Sequence, residues 1–249
     1  MNTEVVQLME LDNGVVQVTI KDEEYRNTLS QGIMEGLSKC FDAISRNNNY
    51  KVVILTGYGN YFASGGTKEH LLDIYKGDAK CNDSDIFKIA LDCEIPVIAA
   101  MQGHAIGGGL VSGLYADLVV LSKESIYTTN FMKYGFTPGI GATFIVPFKL
   151  GYALGQEMMY TAQNYRGAEL AKRGIQFPVL PRKEVLSYAR NMAEIIAEKP
   201  RLSLITLKKH LTSEIRNKLP KWIDKEVAMH EITFHQPSVA SQIELSFSN

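Results

Sequence analysis

No stretch of the sequence approaches the ~18 consecutive apolar residues of a membrane-spanning helix. The opening residues, MNTEVVQLMELDNG, carry acids and no extended apolar core, so no secretory signal peptide is expected there. The cysteines, Cys40, Cys81 and Cys93, are odd in number and lack CxxC spacing. That excludes a disulfide framework and a zinc site, and suggests reduced thiols in a cytoplasmic protein. A net charge of −1 leaves no electrostatic case for nucleic acid or an anionic membrane. No repeat at a period of roughly 20–50 residues and no low-complexity tract is present.

What is there is the composition of an ordinary globular protein, 45% hydrophobic and 21% charged over 249 residues. That length suits one large domain, or one domain with a helical appendage. Val5–Leu11 and Val15–Ile20 flank Asp12-Asn13-Gly14, a strong hairpin signal. Ser30 suits the N-cap of a helix through Ser45, with Ile33, Leu37, Phe41 and Ile44 on one face. Val52–Thr56, Ile95–Met101 and Asp117–Ser122 read as buried strands. A helix ending at Lys76 precedes a polar, irregular stretch, Gly77–Ser84, and Ser84–Cys93 is amphipathic and reads as helix. Tyr127–Thr143 reads as a loop punctuated by Gly135, Pro138, Gly139 and Gly141. Further on, helices are expected at 142–150, 152–161, 167–173, 183–198 and from Pro200 to Lys209 or beyond, with a short apolar segment at 177–180. Pro220 is placed as the first-turn residue of a last long helix, Lys221–Phe234. The pattern is α/β at first and nearly all helix in the last third.

The stretch Ile95–Tyr115, IPVIAAMQGHAIGGGLVSGLY, passes from a strand through Gly107-Gly108-Gly109 into a helix-compatible run. Uncovered backbone N–H groups at such a turn can hold an oxygen that gains negative charge. The glycines can equally serve close packing. A second glycine-rich turn, FASGGT (Phe62–Thr67), follows the earlier strand, and TPGIGAT (Thr137–Thr143) comes later. In this order and spacing they resemble the crotonase (enoyl-CoA hydratase/isomerase) superfamily along essentially the whole chain. The resemblance implies a ClpP/crotonase-like spiral of ββα units. It implies a core over residues 1–195 and a helical region over 196–249 that trimerises and covers the site. It also implies homotrimers or dimers of trimers, a pantetheine thioester substrate, and no metal or other cofactor. The family's two oxyanion N–H groups fall on Gly66 and Gly108, each worth ~3 kcal/mol in a transition state.

The departures from the family pattern carry information. The two glutamates with which a hydratase activates water and moves the proton are replaced by Val111 and Phe131. An apolar pair cannot act as acid and base. LDCEIPVIAAMQGH, NFMKYGFTPG, NYRG and MHEITFHQP are similar to the second crotonase of polyketide β-branching cassettes. That resemblance implies decarboxylation of a 3-methylglutaconyl group on an acyl carrier protein to a 3-methylcrotonyl group, through an oxygen-stabilised dienolate. His230 matches the histidine the family uses as a catalytic group. The tyrosine and lysine expected on the helix after the first oxyanion turn are replaced by His70 and Ile74, with Lys68 nearby. His70, Lys68 and His230 are therefore the catalytic candidates. Val111, Phe131, Asn130 and Tyr134 are the substrate-contacting ones. An enoyl-CoA isomerase or hydratase with acid and base from elsewhere, and a non-catalytic scaffold for the carrier protein, are the alternatives. A dinucleotide site is disfavoured, because GHAIGGG does not match GxGxxG.

Overall fold

The computed structural model describes residues 5–81 and 83–247. β1 (Val6–Glu10) and β2 (Val15–Ile20) form the expected hairpin, antiparallel with Val6 opposite Ile20. Asn13 and Gly14, at φ +59° and +79°, make its turn. α1 (Gln31–Ser45) starts where Ser30 Oγ accepts the Ile33 N–H at 3.3 Å. Ile33, Leu37, Phe41 and Ile44 are all buried along its inner face, each worth about 1.5–3 kcal/mol of apolar burial.

Three strand pairs then repeat one plan. β3 (Val52–Thr56) and β4 (Tyr61–Ala63) lead to α2 (Lys68–Lys76). A 3-10 turn, Asp85–Lys88, and the short α3 (Ile89–Asp92) stand where one amphipathic helix is expected. β5 (Val97–Met101) and β6 (His104–Ile106) lead to α4 (Gly108–Leu114). β7 (Leu118–Ser122) and β8 (Ile126–Thr128) lead into a 3-10 turn at Asn130–Tyr134. The helical part holds α5 (Ala142–Leu150), α6 (Tyr152–Thr161), α7 (Gly167–Lys172), α8 (Arg182–Ala197), α9 (Arg201–Leu211), α10 (Ser213–Thr233) and α11 (Pro237–Phe247). It also holds the two-residue strands β9 (Tyr165–Arg166) and β10 (Val179–Leu180).

The first strand of each pair joins a six-stranded sheet, β1-β2-β3-β5-β7-β10, parallel except for the hairpin. The second strand joins a four-stranded sheet, β4-β6-β8-β9. This is the ββα repeat that the resemblance implies. Each unit spans both sheets, so the turns after β4 and β6 arrive side by side. Among the described residues no helix is long and apolar enough to cross a membrane.

The expected helix start at Pro220 is not observed, since α10 runs through Pro220 from Ser213. Ile215 and Leu219 before the proline, and Glu226 and His230 after it, are all buried. Packing on both sides outweighs the ~3 kcal/mol that an interior proline costs a helix. Nor is α10 the last helix, since α11 follows it.

Candidate active site

The two glycine turns converge because β4 and β6 are parallel neighbours, with Tyr61 opposite His104 and Ala63 opposite Ala105. A Cβ placed on Gly65 would lie 3.8 Å from the Gly108 nitrogen. Within the triplet each glycine has its own duty. Gly107 takes φ +53°, and a Cβ there would meet Asn130 Oδ1 at 2.5 Å. Gly109 lets α4 close on β4, where a Cβ would lie 2.2 Å from the Ala63 carbonyl oxygen. Gly108 borders a cavity, and a Cβ there would lie 3.2 Å from Phe87 and 3.3 Å from Ile140. The packing reading of the triplet therefore holds at Gly109, while Gly108 borders that cavity. Leu29 N–H bonds the Gly65 carbonyl at 2.7 Å and leaves the Gly66 N–H uncommitted. Among the described residues, no hydrogen bond from the Gly66 or Gly108 N–H is formed.

These N–H groups border a cavity of about 70 Å³ whose walls include His70, Asn130, Phe131, Tyr134 and Phe136. His70 stays at the start of α2 because Thr67 Oγ1 caps that helix through the His70 N–H, at 3.1 Å. Asn130 Nδ2 bonds the Tyr134 hydroxyl at 3.3 Å. The Tyr134 ring stacks on Phe136, which stacks on Phe234 at 4.1 Å between centroids. Burial pushes the Tyr134 hydroxyl above its ordinary pKa, so it remains a neutral phenol. Asn130, Phe131, Tyr134 and His70 thus share one cavity with the two glycine turns.

Two expected positions lie elsewhere, and a third, His230, lines an adjoining cavity. Val111 does not line this cavity: it is fully buried in the main core beneath α4. Lys68 is turned away from it and pairs with Glu244 on α11, an exposed ion pair. His230 also lies outside it, behind the Thr137–Ile140 segment. Its ring would be 2.4 Å from a Cβ on Gly139, and its Nε2 is 2.7 Å from the Thr137 carbonyl oxygen.

His230 borders a second cavity of about 240 Å³, which shares Ile74 and Cys81 as walls with the first. Lys80, Glu231 and His235 also line it. Burial is the main reason the His230 pKa lies below the usual imidazole value, which keeps the ring neutral. Burial also pushes the Cys81 thiol up to about 12, which favours its protonated form. Lys80 was not among the expected residues. It stands in the polar stretch after Gly77, the left-handed C-cap of α2 at φ +86°. Its ammonium has no ion-pair partner among the described residues. A lone cation three residues past a helix-ending glycine, beside a catalytic-type turn, is a weak signal that the sequence did contain.

One face of α10 holds the segment between the cavities. Glu226, His230 and Thr233 lie one and two turns apart along the helix. The Glu226 carboxylate accepts the Gly141 N–H at 2.6 Å and the Thr143 N–H at 2.7 Å, capping the first turn of α5. Thr233 Oγ1 accepts the Thr137 N–H at 3.3 Å. Burial raises the Glu226 pKa to about 7 against these hydrogen bonds, which pull it down. The intervening Ile140 adopts φ +56°, and the Tyr115 hydroxyl donates to its carbonyl at 2.8 Å.

Comparison with known proteins agrees with this geometry. Residues 10–245 match the family described as enoyl-CoA hydratase/isomerase. The chain is 56% identical to the bacillaene synthase decarboxylase PksI of Bacillus subtilis, over 100% of both chains. Among solved structures, a protein from a dehydratase/decarboxylase enzyme couple involved in polyketide β-branching superposes with TM-score 0.95 at 57% identity, covering 96% of this chain and 95% of that one. The ECH2 decarboxylase domain of CurF from Lyngbya majuscula superposes with TM-score 0.94 at 56% identity, covering 98% and 100%. A Mycobacterium avium enoyl-CoA hydratase, at 20% identity and TM-score 0.83, shares the fold.

Proposed function

The chain belongs to the enoyl-CoA hydratase/isomerase family, and on that premise we propose that it is a crotonase-fold decarboxylase of polyketide β-branching, acting on a 3-methylglutaconyl thioester carried by an acyl carrier protein. The observation that carries this reading is a pair of uncommitted N–H groups, on Gly66 and Gly108, beside an apolar cavity without the hydratase carboxylates. The identity with the decarboxylases of bacillaene and CurF supports it.

The chemistry follows from charge. The C–C bond to the substrate carboxylate breaks, CO₂ leaves, and the electron pair passes through the conjugated system onto the thioester oxygen. The Gly66 and Gly108 N–H groups hold that oxygen as it becomes an enolate. Lys80, the unpaired cation of the second cavity, pairs with the carboxylate and afterwards returns a proton to carbon. His230, kept neutral by burial, holds the Thr137–Gly139 wall. His70 is the further donor on the side of the glycines. A carboxylate at position 131 would repel the substrate, whereas Phe131 and Phe136 strip water from it.

The reading needs no cofactor beyond the substrate's pantetheine arm, and it places the protein in the cytoplasm with its carrier protein. A homotrimer or dimer of trimers is inferred from α9, where Leu202, Leu207 and Leu211 are 76%, 54% and 66% exposed. Residues 196–249 are read as the segment that assembles subunits and covers the site. The test is to incubate the protein with the 3-methylglutaconyl carrier thioester and follow the acyl mass. Loss of CO₂ is expected. An acyl group of unchanged carbon count, or one that has gained water, would overturn the reading in favour of an isomerase or hydratase. An unreacted thioester would favour a scaffold.

A further inference from the structure

Between Asp22 and Leu29 the chain leaves β2 and crosses to the glycine turn that follows β4. Arg26 and Asn27 both take left-handed backbone, at φ +53° and +57°, a region that asparagine enters more readily than most residues. Asn27 is 1% exposed, and every polar group it has is engaged. Its N–H donates to the Asp22 carbonyl at 3.0 Å and its Oδ1 accepts the Asp22 N–H at 2.8 Å, which closes the turn. Its Nδ2 donates to three further carbonyls, those of Ile20 at 3.0 Å, Tyr61 at 3.0 Å and Phe62 at 3.1 Å. Ile20 ends β2 of the six-stranded sheet, whereas Tyr61 and Phe62 belong to β4 of the four-stranded one. One buried amide thus joins the two sheets.

From Asn27 onward the same segment runs beside the turn that carries Gly66. The Ser64 N–H donates to the Asn27 carbonyl at 3.0 Å, and the Leu29 N–H donates to the Gly65 carbonyl at 2.7 Å. Leu29 and Gly66 pair as a parallel bridge. The Ser64 hydroxyl donates to the Arg26 carbonyl. The chain is therefore held at Phe62, Ser64 and Gly65, and the uncommitted Gly66 N–H comes next. On its other side the turn meets β6, where a Cβ on Gly65 would lie 3.0 Å from the Ile106 carbonyl oxygen. Asn27 itself is not a wall of the glycine cavity. Its influence on the oxygen seat can only pass through the backbone it holds.

We propose that Asn27 is a positioning residue for the reaction: its buried amide fixes the direction in which the Gly66 N–H meets the thioester oxygen. The inference rests on the decarboxylase reading above and adds a residue that acts through Gly66. A backbone donor stabilises a forming enolate to the extent that it is already aimed at the oxygen. A misplacement of about 1 Å costs roughly 100-fold in rate. Binding of the unreacted thioester draws on the whole substrate and depends little on that one angle.

The experiment uses Asn27→Gly, which keeps a residue suited to left-handed backbone and removes the amide. The probe is 3-methylglutaryl pantetheine, saturated and therefore unreactive, isotopically labelled at its thioester carbonyl carbon. Infrared difference spectroscopy follows its carbonyl band, which moves to lower frequency when N–H groups hold the oxygen. Asn27→Gly should lose about half of the wild-type shift. Its kcat on the 3-methylglutaconyl thioester should fall roughly 100-fold, with the Kd of the probe within about threefold of wild type. Ser64→Ala, which removes one link to the same segment, should move the band in the same direction by less. Ile44→Ala, a core hole near the far end of α1, controls for lost stability and should leave band and kcat unchanged. A bound band in Asn27→Gly identical to that of wild type, or a kcat loss that Ile44→Ala matches, overturns the proposal. If Asn27→Gly does not fold, Ser64→Ala decides, and an unmoved band overturns it. If the wild type shifts the band but releases no CO₂, the decarboxylase reading has failed, and the band comparison alone decides the role of Asn27.

Discussion

His230 Nε2 and the Thr137 carbonyl oxygen, 2.7 Å apart, join the longest tail helix to the loop that walls the oxygen seat. Removing the ring leaves a buried carbonyl without its donor and opens a hole against Phe136 and Phe234. His230→Ala should therefore lose about 2–4 kcal/mol of stability and at least tenfold in turnover. His230→Gln keeps an N–H within reach of Thr137 and should recover most of the stability. Thermal unfolding measured beside turnover checks both.

Glu226 makes stability depend on pH in a definite direction. Its folded pKa of about 7 lies above the ordinary value of 4.5, because burial disfavours the charged form. The folded state thus holds a proton that the unfolded state releases. The resulting stability is complete below pH 4.5 and is lost as the pH rises to about 7, by roughly 3 kcal/mol. Replacing Glu226 with Gln should remove this dependence. The difference in unfolding free energy between wild type and Glu226→Gln, followed from pH 4.5 to 7.5, should slope downward. A flat difference would show that the carboxylate is charged throughout.

Gly108 and Gly109 are adjacent but should fail in different ways. At Gly109 a methyl group meets the Ala63 backbone oxygen at 2.2 Å, and backbone cannot yield cheaply. Gly109→Ala should cost about 1–3 kcal/mol or more of stability. At Gly108 the nearest atoms are the ends of Phe87 and Ile140, at 3.2 and 3.3 Å, which can move. Gly108→Ala should keep the stability and lose turnover, because the methyl group enters the cavity. Unfolding and kinetic curves on the two variants separate these outcomes.

Two lysines near α2 make a second contrast. Lys80→Ala should lower decarboxylation at least 100-fold, with stability within about 0.5 kcal/mol of wild type. Lys68→Ala breaks only the exposed pair with Glu244, worth about 0–1 kcal/mol, and should leave turnover unchanged. Steady-state kinetics on both variants checks this assignment.

The parts of the fold that show in the sequence are those with a long local signature. The hairpin turn at Asn13-Gly14, the Ser30 cap and the all-buried β3 and β5 each carry one. The second sheet carries none. β4, β6 and β8 have three residues each, too few for alternation to register, so the sequence reads them as turn and loop. Around the glycine cavity, the turns are legible because Gly65, Gly107 and Gly109 stand where a side chain is strained or blocked by backbone. Val111 was misplaced because its position on a helix does not tell which face meets the cavity, and that face turns to the core. Lys68 was misplaced because its partner, Glu244, lies on α11 at the far end of the chain. The cavity-lining position of Lys80 is not legible in the sequence, because an irregular polar stretch gives no direction to a side chain. Pro220 misled because the burial that overrides it comes from distant residues.

The fastening of the Thr137–Thr143 segment by α10 separates two properties of the enzyme. The proposed seat for the oxygen is made by backbone N–H groups from the α/β part, at two glycine turns. The shape of the remaining pocket is imposed by a helix some ninety residues away in sequence, through Glu226, His230 and Thr233. Selectivity can therefore drift by exchange of residues on one helical face while the reactive centre stays fixed. A fold divided in this way can be reassigned to new acyl groups without rebuilding its chemistry.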